Sequence, residues 1–137
     1  MSGEKANILI VDDEPANLLA LEAVLGDLGQ HLVRANSGEE ALEKLLAGDY
    51  AAVLLDVQMR GMDGFETARL VRSRPRSRHT PIIFLTAFES PQFPLLEAYR
   101  LGAVDYLVKP LGPEILRAKV AFFVEFVRRA EELKRAE

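Results

Sequence analysis

The chain contains no cysteine. Disulfides, thiolate metal sites and cysteine nucleophiles are therefore excluded. Basic residues are not in excess either: 17 Lys and Arg against 21 Asp and Glu give a formal net charge of −4, which argues against a general nucleic-acid-binding surface. No apolar run approaches the ~20 residues of a membrane span. The polar start Met1-Ser2-Gly3-Glu4-Lys5 lacks the apolar stretch of a signal peptide, so a cytoplasmic protein is expected. Internal repeats, low-complexity tracts and flexible linkers are absent. What is present is 137 residues, 49% hydrophobic and 28% charged, the profile of one globular domain large enough to bury a core without covalent staples.

Short apolar runs rich in branched residues occur at 7–11, 31–35, 51–56, 81–85 and 104–108, and the longer stretches between them have helical spacing. In 14–28, Leu18, Leu21, Leu25 and Leu28 fall at steps of three and four. Ala41, Leu42, Leu45 and Leu46 do the same in 38–47, and Phe65, Ala68 and Val71 in 64–73. Five alternations of strand and helix predict a doubly wound five-stranded parallel sheet with helices on both faces. Ser37 and Glu40 have capping-box spacing. Gly29, Gly48 and Gly102 stand where helices should end in a left-handed residue. A helix is expected over 90–101, with Pro91 at its start, although Pro94 lacks an N–H that its first turn would use.

From Pro113 a helical pattern runs unbroken to Glu137, about 35 Å at ~1.5 Å per residue and longer than the sheet needs. Leu116, Val120, Phe123, Val127 and Ala130 form one seam; Ile115, Phe122 and Phe126 form a second stripe beside it. One stripe can pack on the sheet. The other is expected to serve a homodimer or to couple to a downstream effector domain absent from this chain. The expected division is a domain over 1–125 and a helical extension, a linker or dimerisation segment, over 126–137.

The chemistry gathers at strand ends. Asp12 and Asp13 close the first apolar run, and Asp56 closes the third. In a parallel α/β sheet the carboxyl ends of the strands share one edge, where ligands bind. Carboxylates converging there repel unless a cation joins them, and Mg²⁺ with oxygen ligands suits phosphoryl chemistry. Thr86 follows the fourth run and Lys109 ends the fifth. Taken singly, each has an ordinary explanation: helix caps for Asp12 and Asp13, a strand-end residue for Asp56, a turn hydroxyl for Thr86, a solvated lysine for Lys109. Together they make one mechanism. A carboxylate can attack phosphorus to give an aspartyl phosphate. The hydroxyl and the ammonium can hold the remaining oxygens, where positioning and electrostatics supply most of the catalysis. The new group adds roughly −1.5 to −2 charge at a fixed point, and drawing Thr86 inward would free space for Tyr106 to move.

The set Val11-Asp12-Asp13-Glu14-Pro15, Leu55-Asp56-Val57-Gln58-Met59 with Met62-Asp63-Gly64, Leu85-Thr86-Ala87, and Gly102 through Pro110 resembles the receiver domain of two-component response regulators over about residues 6–125. The resemblance implies a flavodoxin-like fold of strand order 2-1-3-4-5 with five helices, the last extended. It implies Asp56 as phosphoacceptor from the phosphohistidine of a sensor histidine kinase or phosphotransfer protein. Asp13, Asp56 and the backbone carbonyl of Gln58 would bind Mg²⁺, with Asp12 acting through a metal-bound water. Thr86 and Lys109 would contact the phosphoryl group, Tyr106 would be the switch aromatic, and the bond before Pro110 would be cis. The chain departs from the family pattern at Arg60, where proline is usual. Gln58 and Phe88 lie at variable positions beside the site.

Other readings fare worse. An aspartate-nucleophile phosphatase wants a second acid two residues after the nucleophile, where this chain has Gln58. A flavin or nucleotide binder wants a glycine-rich loop after the first strand, where Asp13-Glu14-Pro15 stands instead. A scaffold that is never phosphorylated has no need of the acidic set or of Lys109. His31 and His79 are read as solvent-facing, and the run Arg72, Arg74, Arg76, Arg78 as a solvated helix end or a docking surface for an acidic partner.

Overall fold

The computed structural model describes residues 5–87, 95–103 and 105–136. Five strands, β1 (Asn7–Val11), β2 (His31–Ala35), β3 (Ala52–Asp56), β4 (Ile82–Thr86) and β5 (Asp105–Val108), form one sheet in the order β2-β1-β3-β4-β5. Every pairing is parallel. The helices are α1 (Pro15–Leu25), α2 (Gly38–Ala47), α3 (Gly64–Ser73), α4 (Leu95–Arg100) and α5 (Pro113–Ala136).

Alternate residues of the central strands feed two cores. Leu9, Val11, Val53, Leu55, Ile82 and Phe84 pack with α2, α3 and α4 on one face. Ile8, Ile10, Ala52, Leu54, Ile83 and Leu85 pack with α1 and α5 on the other. Burial on both sides explains why these strands read as continuous apolar runs without polar alternation.

Several boundaries differ from expectation. The helix expected over 14–28 ends at Leu25 and tightens into a 3₁₀ turn over Gly26–Leu28, which Gly29 closes at φ 72°. Gly102 is left-handed at φ 67° as expected, but Gly48 is extended at φ −162°, a conformation open to any residue. Leu46 points to solvent at 55% exposure, because its helix buries only Ala41, Leu42 and Leu45 beside Gly38. Ser37 accepts from the Glu40 N–H, but Glu40 reaches back to the N–H of Asn36, not to that of Ser37. The reciprocal capping box lies at Asp63 and Glu66, at the start of α3. Thr86 is the last residue of β4, not the one after it. The expected helix before Leu95, with Pro91 and Pro94, lies outside the described residues, as does Phe88.

The arginine run is not a uniformly solvated face. Arg72 is half-buried and donates to the carbonyls of Leu101 (2.6 Å), Thr80 (2.7 Å), Arg78 (3.0 Å) and Gly102 (3.1 Å). It thereby ties α3 to the end of α4 and to the chain entering β4. Arg76 pairs with Asp49, while Arg78, His79 and His31 are exposed.

On α5 the two stripes separate as the spacing suggests. Leu116 and Val120 are fully buried against α1 and the sheet, with Phe123, Val124 and Val127 partly covered. Ile115, Phe122 and Phe126 are 59%, 61% and 58% exposed, and the rings of Phe122 and Phe126 stack at 6.4 Å. Among the described residues, no helix is long and apolar enough to cross a membrane.

Candidate functional site: an acidic pair and a lysine at the strand ends

The strand order reverses between β1 and β3, the crevice where parallel α/β sheets bind ligands. Asp12 follows β1 and Asp56 ends β3, so both carboxylates flank this point. They are 1% and 5% exposed. Lys109, just past β5, brings its Nζ to 3.2 Å from Asp56 Oδ2 and 3.6 Å from Asp12 Oδ2. Its backbone N–H donates to the Thr86 carbonyl at 2.8 Å, extending the β4–β5 pairing by one residue. Thr86 itself is fully buried at the neighbouring strand end, and the Lys109–Pro110 bond is cis.

Local contacts set each acid. Asp56 Oδ1 accepts from the Gln58 N–H at 3.1 Å. Asp12 Oδ1 accepts from the Glu14 N–H at 2.9 Å, so it does steady the entry to α1, and its Oδ2 accepts from Asn17 Nδ2 at 3.0 Å. Asp13 turns elsewhere: its Oδ2 takes the Arg60 N–H at 2.8 Å and Nε–H at 3.3 Å. Those bonds, the backbone one first, hold its carboxyl below the ordinary range. Asp12 and Asp56 thus meet through Lys109, and among the described residues no three acidic or histidine side chains form a metal-binding cluster.

Gly64 shapes the floor. A Cβ there would lie 2.4 Å from the Asp56 carbonyl oxygen and 2.8 Å from Val57 Cα, while the Gly64 N–H donates to the Val57 carbonyl at 2.9 Å. The start of α3 is therefore seated directly on the end of β3, an approach only glycine allows. Gly61, at φ 71°, turns the loop between them.

Electrostatically the pair is under-compensated. Desolvation, then hydrogen bonding and repulsion from Asp12, push Asp56 up to about 6, with Lys109 and the Gln58 N–H pulling the other way. Two nearly buried carboxylates share one ammonium. A hard divalent cation with oxygen ligands fits such a donor set.

Tyr106 lies on β5, half-buried against the core that contains Phe84, Ala98 and Leu101. Asp105 beside it accepts from the Tyr106 N–H at 2.8 Å and pairs with Lys119 of α5. Sequence reasoning missed Asn17 and the hold of Arg60 on Asp13. The signal available for Asn17 was an amide in the first turn of a helix that follows an acidic strand end. For Arg60 it was only the loss of the usual proline.

The pattern of the response regulator receiver domain matches residues 8–121. The chain is 36% identical over 131 residues to the transcriptional regulatory protein ZraR of Klebsiella oxytoca, covering 96% of this chain and 29% of that protein. It is 38% identical over 111 residues to the signal transduction histidine-protein kinase BarA of Shigella flexneri, covering 80% of this chain and 12% of that one. The receiver domain of a sensor histidine kinase from Pseudomonas aeruginosa PAO1, whose structure has a magnesium ion coordinated in the active-site cleft, superimposes with a TM-score of 0.80 at 30% identity over 89% of this chain and 99% of that one. The chain belongs to the receiver-domain family of two-component response regulators. It spans under a third of the length of these two curated relatives.

Proposed function

We propose that this domain is a phosphorylation-dependent switch that takes a phosphoryl group from a histidine kinase or phosphotransfer protein onto Asp56. The single observation carrying this reading is the meeting of the nearly buried Asp56 with Lys109 at 3.2 Å, beside buried Thr86 and Asp12. In the forward step a carboxylate oxygen of Asp56 attacks phosphorus. The P–N bond to the donor imidazole breaks, and its electron pair returns to that nitrogen. Lys109 holds one phosphoryl oxygen and offsets its charge, and the Thr86 hydroxyl holds another. Hydrolysis reverses the acyl phosphate: water attacks phosphorus and the Asp56 carboxylate leaves. Asp12, Asp13, Asp56 and the Gln58 carbonyl would hold Mg²⁺, which when bound neutralises acidic charge and orients the phosphoryl group.

The readout follows from position. Thr86 ends β4 and Tyr106 lies on β5 beside it, packed on the core of α3 and α4. Movement of Thr86 toward a phosphoryl group gives Tyr106 a second position, and the Asp105–Lys119 pair links that strand to α5. The exposed stripe of Ile115, Phe122 and Phe126 supports pairing of two copies through α5 or packing on a downstream effector.

The test is intact-mass measurement after incubation with acetyl phosphate and Mg²⁺, with and without EDTA. One added phosphoryl is expected on wild type with metal, and none on Asp56→Asn or after chelation. Uptake by the variant at the wild-type level would place the acceptor elsewhere.

A further inference from the structure

Arg60, in the loop between β3 and α3, is the residue that holds Asp13. We infer that Arg60 is a built-in competitor for the metal: its guanidinium and backbone N–H occupy Asp13 Oδ2 and weaken the hold of that carboxylate on a divalent ion. The inference rests on the proposed Mg²⁺ site and adds how that site is tuned.

Three observations carry it. The same carboxylate oxygen accepts both bonds, at 2.8 Å from the backbone and 3.3 Å from Nε. An oxygen that already accepts two hydrogen bonds has less to offer a cation, and the arginine charge beside it repels one. Second, Asp13 forms no three-acid cluster with Asp12 and Asp56 among the described residues, and Lys109 is the one cation paired with those two. Third, the Arg60 side chain is 86% exposed and has no other ion-pair partner among the described residues, so it can leave without disturbing packing. An exposed arginine on a partly exposed carboxylate makes a weak and salt-sensitive pair, strong enough to tune affinity and too weak to block the site.

The competition separates into two parts by substitution. Arg60→Ala removes the guanidinium and keeps the N–H; Arg60→Pro removes both, because proline has no backbone donor. Magnesium chloride titration of the purified chain, followed by amide chemical shifts of Asp13 and Gln58, reads affinity without any phosphoryl donor. Arg60→Ala should bind Mg²⁺ roughly two- to fivefold more tightly than wild type, with the gain shrinking at high salt. Arg60→Pro should bind at least as tightly as Arg60→Ala. Equal or weaker binding by Arg60→Ala, with an unchanged melting curve, would overturn the inference. Should neither wild type nor variants bind Mg²⁺, the failure belongs to the metal site itself and takes the proposed function with it.

Discussion

Lys109 reaches across from β5 to put its ammonium 3.2 Å from the Asp56 carboxylate that ends β3. One cation is set against two nearly buried acids, and the imbalance is large enough to have consequences in solution.

The first concerns pH. Burial, with Asp12 close by, pushes Asp56 up to about 6 in the folded state, above its ordinary 3.8. Between those values the native state binds the proton more tightly than the unfolded chain, so this group's contribution to stability declines as pH rises through that window. Two pKa units correspond to about 3 kcal/mol. In EDTA, Asp56→Asn should be close to wild type near pH 4 and more stable by about 2–3 kcal/mol at pH 7.5. Urea unfolding across pH measures the difference, and a gap that stays constant with pH would contradict it.

Metal should reverse that penalty. Mg²⁺ at about 100 times its dissociation constant should stabilise wild type by about 2.7 kcal/mol, since it binds the folded site and not the unfolded chain. Chelation should remove the gain, and Asp56→Asn should show little of it. Thermal melts with and without EDTA decide the matter; equal shifts in both proteins would place the ion elsewhere.

Gly64→Ala tests the floor of the site. The new methyl meets backbone at the end of β3, 2.4 Å from the Asp56 carbonyl oxygen and 2.8 Å from Val57 Cα, so neither side can swing away. A loss of about 1–3 kcal/mol is expected from such overpacking. Phosphoryl uptake should slow as well, because the displaced backbone is that of Asp56. A variant with wild-type stability and uptake would show that the loop adjusts freely.

Arg72 should matter to stability and not to chemistry. Replacing it by Met removes a guanidinium shared by four carbonyls and leaves the two part-buried ones, of Leu101 and Thr80, without it, for a loss of about 1–3 kcal/mol in urea unfolding. Arg72→Lys should recover only part of this, because an ammonium cannot fork to both α4 and the strand entry. Full recovery by lysine would argue that charge alone matters.

The exposed stripe on α5 predicts self-association. Sedimentation at tens of micromolar should show wild type pairing, and Phe122→Ser with Phe126→Ser should sediment as a monomer with its melting temperature preserved, since both rings lie outside the core. A wild type that stays monomeric at high concentration, phosphorylated or not, would leave α5 to an effector.

Much was legible along the chain. The strand runs, the buried Leu18, Leu21 and Leu25 of α1, and the position of Asp56, Asp12, Thr86 and Lys109 at strand ends all follow from residue type and period. Gly48 was not, because glycine after a helix signals permission and not a dihedral angle. Leu46 was not, because a stripe of four apolar residues does not state which of them the sheet covers. Arg72 was not, because a basic run looks the same whether solvated or folded onto carbonyls 29 residues away.

Sequence alone determined the order of elements, the two-sided burial of the strands and the placing of acids, a hydroxyl and a lysine at strand ends. These depend on local periodicity and on side-chain type, which a chain carries with it. Tertiary structure decided which acids meet: Asp12 and Asp56 share Lys109 because parallel strands bring their carboxyl ends to one edge, while Asp13, adjacent to Asp12 in sequence, turns away to Arg60, 47 residues on. Adjacent residues leaving a strand point in different directions, and only the packed loop opposite determines what each one finds.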